Sequence, residues 1–223
     1  MNPAIQYVIH QGVPLETVIL ILTLPIIATL IAIFRQVLGI KAFGIYTPMI
    51  VTLSFLAMRI NSSNGFSGVK YGTIIFISII FVGMATRYLL KKLRLLYLPR
   101  VAITLSVVAF SILAILVFGG SLQRTGLASV SIFPLLIMIA IVEKFVAAQI
   151  EKGNKAALIL AVETLFISLA CFYLVSLQLT IEVIAHYPWV VLLTLPFNFF
   201  LGKWSGLRLN EYWRFREVFK RMQ

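Results

Sequence analysis

Read for hydropathy alone, the chain is a series of long apolar runs separated by short polar punctuation. The runs fall at about 15–34, 44–58, 71–90, 98–118, 127–149, 156–178 and 183–201. They are continuous and do not alternate at period two, and most approach the ~20 residues an α-helix needs to cross ~30 Å of hydrocarbon. In hydrocarbon every backbone polar group must be paired within its own segment or in a closed barrel, so continuous runs predict helices. The expected fold is an all-α membrane protein, a seven-transmembrane-helix bundle. The run at 44–58 is short and fits a tilted, re-entrant or interfacial segment as well as a crossing.

The end of the chain has a different pattern. Tyr212, Phe215, Phe219 and Met222 form one stripe at helical spacing, and Asn210, Arg214, Glu217 and Arg221 form the opposing one. This predicts an amphipathic C-terminal helix lying on the membrane surface, with Trp213 at its headgroup edge. The expected division is a short extracytoplasmic tail at 1–14, a seven-helix domain at 15–207 and a cytoplasmic tail helix at 208–223.

Composition narrows the class. Of 223 residues, 61% are hydrophobic and only 12% are charged. A soluble domain carries about 25% charged residues, so an ordinary soluble enzyme is excluded. The net charge of +12, from 19 Lys and Arg against 7 Glu and no Asp, would point to nucleic acid in a soluble protein. Here the cations flank apolar runs, so the partner they imply is the lipid bilayer and not nucleic acid.

Their distribution assigns the sides. The N-terminal tail and the 2–3, 4–5 and 6–7 connections hold only Arg59, Lys70 and Arg124, while the other connections and the tail hold the remaining 16. The positive-inside rule then puts the N-terminus outside and the C-terminus in the cytoplasm, and an even number of spans would spoil the segregation. Tyr187 and Trp189 on one side, with Tyr88, Tyr97 and Trp204 on the other, match interfacial belts. The segment Met1–Pro14 has no Lys or Arg and is not a secretory signal. The single cysteine, Cys171, cannot form an internal disulfide.

Polar residues at depth are the candidates for chemistry, because a charge in hydrocarbon is costly and usually has a reason. Glu143 lies late in the fifth run beside Lys144, and Glu163 lies about two turns into the sixth. A structural role for Glu143 is to meet a cation on a neighbouring helix; Glu163 is either a protonated, hydrogen-bonded group or a proton or cation site. Arg35 and Gln36 end the first run and Arg100 begins the fourth, near the inner surface where phosphates or carboxylates can meet them. His10 and His186 have no carboxylate or cysteine companions, so no metal site is expected. No His-Glu-x-x-His, Gly-x-Ser-x-Gly or phosphate-binding loop occurs, so no catalytic residue and no cofactor is assigned.

Smaller features concern packing. The Gly-x-x-x-Gly pairs Gly68/Gly72 and Gly202/Gly206 allow close helix approach. Pro25, Pro48, Pro134 and Pro196 fall inside runs, where each can kink a helix. Leu-Thr-Leu-Pro occurs at 22–25 and at 193–196, too short a match to define a repeat.

Three ordered stretches carry a resemblance. They are Arg35-Gln36, Gly39, Phe43-Gly44 and Pro48; then Ser131–Pro134, Glu143-Lys144, Glu151, Gly153 and Ala156; and finally Leu201–Glu211 with Arg214-Phe215-Arg216. Together they resemble the bacterial seven-helix domain usually fused to an inactive transglutaminase-like domain. Lys144, Lys203 and Trp204 stand where that pattern has Arg, Arg and Tyr. Only fourteen residues precede the first run, so the chain reads as a fragment or as one half of a split pair.

The resemblance implies a receptor-like module of the bacterial inner (cytoplasmic) membrane. It implies a transglutaminase-like companion outside and an ATP-grasp ligase pathway inside. Two function classes follow: a non-enzymatic signalling or scaffolding bundle, or a transporter or channel for a small peptide or modified metabolite. The few buried polar groups favour the first. The expected docking surface is the cytoplasmic end, Gly202–Arg216, above all Arg208 and Glu211, which lie three apart and face the same way on a helix.

Overall fold

The computed structural model describes residues 2–60, 67–90, 93, 96–121 and 132–203. Every regular element among them is helical. In chain order they are α1 (Pro3–His10), α2 (Leu15–Ile33) running into a π-helical turn (Phe34–Leu38), α3 (Tyr46–Ile60) and α4 (Ser67–Leu90). Then come α5 (Tyr97–Ser121), α6 (Ile132–Ser176), α7 (Gln178–His186), a 3₁₀ turn (Pro188–Leu193) and α8 (Thr194–Gly202). The predicted tail helix, with Arg208 and Glu211, lies outside the described residues.

Four helical stretches among the described residues are long and apolar enough to cross a membrane: Leu15–Leu38, Val69–Leu90, Tyr97–Ser121 and Ile132–Ser176. The α7 and Pro188–Gly202 segments, bent by 103° at their junction, make a fifth if the pair counts as one broken span. The longest, α6, has 45 residues and is broken at Gly153, whose φ of 84° and ψ of 169° are not helical. A straight helix of that length would reach more than twice the ~30 Å of hydrocarbon, so the break separates two segments of spanning length. Only glycine takes a positive φ without strain, which is why the turn sits there. The fifth and sixth apolar runs are these two segments.

Two expectations change. The run at 183–201 is not one continuous helix: it is interrupted at Tyr187 and Pro188. The prolines, except one, do not lie in helix interiors. Pro48, Pro134 and Pro196 are each the third residue of α3, α6 and α8, and Pro99 is the third of α5. First-turn N–H groups have no intrahelical acceptor, so proline loses nothing there. Only Pro25 lies deep inside its helix.

The chain divides into two compact units, residues 1–49 with 167–223 and residues 50–166. In the first, α2 buries the stripe Thr23, Ile27 and Ile31 while Ile21 and Leu24 are exposed. A helix apolar all round that buries one stripe presents the rest to lipid. The polar contacts of this unit are local clasps. Asn2 at the start of α1 donates its backbone N–H to Ala185 O and its Nδ2 to His186 O, both at 3.1 Å. The Ser168 hydroxyl donates to Pro48 O at 3.1 Å. Beside Pro25, Thr29 donates to Pro25 O at 2.8 Å, and Asn198 Nδ2 donates to Thr29 Oγ1 at 2.7 Å and to Thr194 O at 2.8 Å. The two Leu-Thr-Leu-Pro segments share a local form, each threonine donating to the carbonyl three residues back.

The second unit is held by apolar interlocking. Phe55, Met58, Ile75, Phe76, Ile79, Met138 and Phe145 are all within 2% of fully buried. A Cβ at Gly72 would lie 2.5 Å from Phe55 Cδ1 and 3.3 Å from Met58 Sδ. The Phe55 ring of α3 occupies the space that a side chain at position 72 of α4 would need, so a small residue is required there. The outward faces carry Phe81, Phe110, Leu113 and Phe118, all largely exposed, as lipid-facing side chains are.

Candidate functional site

A polar concavity of the second unit is built by the α4–α5 hairpin and the break in α6. Arg87 lies in the last turn of α4 and Arg100 in the first turn of α5, so the short 91–96 connection brings the two to the same end. Asn154, the first residue after the Gly153 break, lies at that end too. Together with Tyr88 these side chains line a recess of about 400 Å³. Of the described lining residues none is acidic.

Two guanidiniums come together in the recess. Arg87 and Arg100 are close enough for their positive charges to repel. Arg87 is half-buried, and its Nη1 is enclosed with no hydrogen-bond partner among the described residues. An arginine near a helix end ordinarily snorkels its head into water or headgroups. An enclosed, unpaired guanidinium nitrogen is a cost the fold carries, since such a donor loses about 1–3 kcal/mol of solvation or more when charged. The N-termini of α5 and of α6 after Gly153 meet the C-termini of α4 and of the first half of α6 here, so the helix dipoles offset and the guanidiniums set the sign. The recess offers donors and positive potential, a setting for holding an anion.

Next to it, α4 and the second half of α6 form a wholly apolar groove of about 180 Å³. Its walls include Phe76, Phe81 and Met84 from α4 and Leu158, Val162 and Leu165 from α6.

The structure distributes the residues singled out in the sequence. Arg35 and Gln36 belong to the first unit, half-buried on the π-helical turn, which closes at Gly39 with a φ of 78°. Single π turns inside α-helices are frequent at functional positions. Arg100 is in the recess. Glu163 is half-buried in α6, with Oε2 shielded from solvent. Glu143 is exposed together with Lys144, because Met138, Ile141, Val142, Phe145 and Val146 turn the opposite face of α6 inward. Rotation about the helix axis, not depth along the run, sets this exposure. Among the described residues no group of three or more His, Cys, Asp or Glu is placed to hold a metal.

Two participants are invisible to residue-by-residue sequence reasoning. Arg87 counts only as one of 16 inner cations, although its place four residues inside an apolar run is a signal. Gln149 is completely buried, and among the described residues neither its Oε1 nor its Nε2 has a partner. A glutamine amid Phe145, Val146 and Ala148 is the only trace of this in the sequence.

Long apolar helices, a break in α6 at Gly153 and lipid-facing aromatic side chains define a multi-pass helical membrane protein. More particularly, the family model described as seven transmembrane helices usually fused to an inactive transglutaminase matches residues 5–219. The chain belongs to that family. Comparison with curated proteins and with solved structures finds no match.

Proposed function

We propose that this chain is a receptor-like, non-enzymatic membrane domain with seven crossings, N-terminus outside and C-terminus in the cytoplasm of a bacterial cell. It couples a transglutaminase-like partner outside to an ATP-grasp peptide-ligase pathway inside. The observation that carries the reading is the segregation of Lys and Arg, 3 against 16, over alternate connections. The recess supports it: the α4 end, the α5 start and the Gly153 break meet at one end of their unit, and all three carry inner-side cations in the count. The family's usual fusion to an inactive transglutaminase supports a partner that binds without catalysis. The buried hydroxyls of Thr23, Thr29, Ser54, Thr86, Thr104 and Thr164 donate to carbonyls of their own helices, which favours a packed bundle over a polar transport path.

Single cysteines in a Cys171→Ala background test the layout. Those at Ser63, Ser121 and Gln178 should react with an impermeant thiol reagent from outside, and one at Asn154 should be protected. The opposite pattern overturns the orientation. The docking end is tested by the charge exchange Arg208→Glu with Glu211→Arg, which keeps net charge constant. Pull-down of a co-encoded ATP-grasp protein should fall while membrane retention is unchanged. Undiminished capture removes the cytoplasmic coupling from the proposal.

A further inference from the structure

The cationic recess and the apolar groove share their walls. On α4 the groove residues Phe81 and Met84 continue at helical spacing into Arg87 and Tyr88. On α6 the groove residues Leu165, Val162 and Leu158 continue, one turn on, to Asn154. From Phe76 to Arg87 the rise along α4 is about 16 Å, close to half of the ~30 Å hydrocarbon thickness and so to one leaflet. A charged end and an oily cleft in line over one leaflet match the two ends of a lipid and the length between them.

We infer that this continuous surface is a binding site for one anionic phospholipid, its phosphate held between Arg87 and Arg100 and an acyl chain laid along the groove between α4 and the second half of α6. A phosphodiester answers the enclosed Nη1 of Arg87 and screens the repulsion between the two guanidiniums. Arginine forks suit phosphate oxygens in two-point contact. Asn154 and Tyr88 add an amide and a phenol at the rim, where glycerol and headgroup hydroxyls would lie. Basic recesses between membrane helices on the cytoplasmic side are a known form of lipid headgroup recognition. The recess volume of about 400 Å³ is in the range of small-ligand pockets. The inference stands apart from the coupling role proposed above, since it needs only the second unit in a bilayer.

The test uses the full chain, purified in detergent, stripped of lipid and followed by native mass spectrometry. Three probes separate the parts of the ligand: phosphatidylglycerol, diacylglycerol with the same chains, and soluble glycerol 3-phosphate. Phosphatidylglycerol should bind at least about tenfold more tightly than either part alone, and Arg87→Gln with Arg100→Gln should weaken it by a similar factor. Lys41→Gln with Lys144→Gln removes the same charge from exposed positions and should leave binding unchanged. Val162→Trp fills the groove from a residue that is 60% exposed. It should weaken phosphatidylglycerol but not glycerol 3-phosphate, and it carries the test alone if the double arginine variant cannot be purified. The inference fails if the arginine variant binds phosphatidylglycerol like the parent, or if the lysine control loses as much. It fails too if Val162→Trp leaves phosphatidylglycerol binding untouched, or if glycerol 3-phosphate binds as tightly as the lipid, which would make this a site for free phosphate compounds.

Discussion

Two side-chain amides show how differently the two units use polarity. Asn198, in the first unit, is half-buried and donates from Nδ2 to both Thr29 and Thr194, next to the Thr29–Pro25 bond. Gln149, in the second, is wholly buried and pairs with nothing among the described residues. In the first unit the polar side chains find partners: Thr29 meets Pro25 O, and Asn198 bridges Thr29 and Thr194. In the second unit apolar interlocking carries stability, and Arg87 and Gln149 are left with unused hydrogen-bonding capacity. Polar atoms that hold a fold together are already paired; those with capacity to spare are where a ligand or partner gains most.

The strongest way to break this comparison is at Gly72. If apolar fit holds the second unit, Gly72→Ala should destabilise it by about 1–3 kcal/mol, because the new methyl meets the Phe55 ring and cannot be absorbed without shifting α3 or α4. The matched change Gly83→Ala should be nearly neutral. A Cβ there would lie 3.5 Å from Phe145 Cδ1, an ordinary contact. Midpoints of denaturation in mixed detergent micelles compare the two, and equal losses would mean that glycine flexibility, not fit, is what the second unit needs.

The clasp of the first unit can be sharpened with a double-mutant cycle. Asn198→Leu and Thr29→Val should each lower stability. Their coupling should fall at about 0.6–1.7 kcal/mol, the range of hydrogen bonds between membrane helices. A coupling near zero would reduce the Asn198–Thr29 bond to a by-product of packing.

The smallest expected effect has the opposite sign. Gln149→Met keeps the volume and removes two unpaired buried groups, so it should stabilise the chain by up to about 1 kcal/mol. Thermal midpoints in the same micelles read this. A clear loss of stability would show that Gln149 is paired in the membrane-embedded protein and would erase the contrast between the two amides.

Much of this molecule is legible in order along the chain. Hydropathy is local and additive, so the helical membrane class and the approximate limits of the spans follow from composition in a window. The cation count adds a proposed orientation by the same kind of sum. The glycines of the family stretches, Gly39, Gly44 and Gly153, occupy left-handed backbone positions, so part of the turn chemistry was legible too. What only the tertiary structure decided is how each helix is rotated about its axis. In a soluble protein the contrast between a polar and an apolar face reports that rotation, but a helix between protein and lipid is apolar on both faces and carries little such signal. That is why hydropathy along the run did not reveal that Glu143 is exposed and Gln149 enclosed. It is also why Arg87, Arg100 and Asn154, spread over 67 residues of chain, come to line one recess.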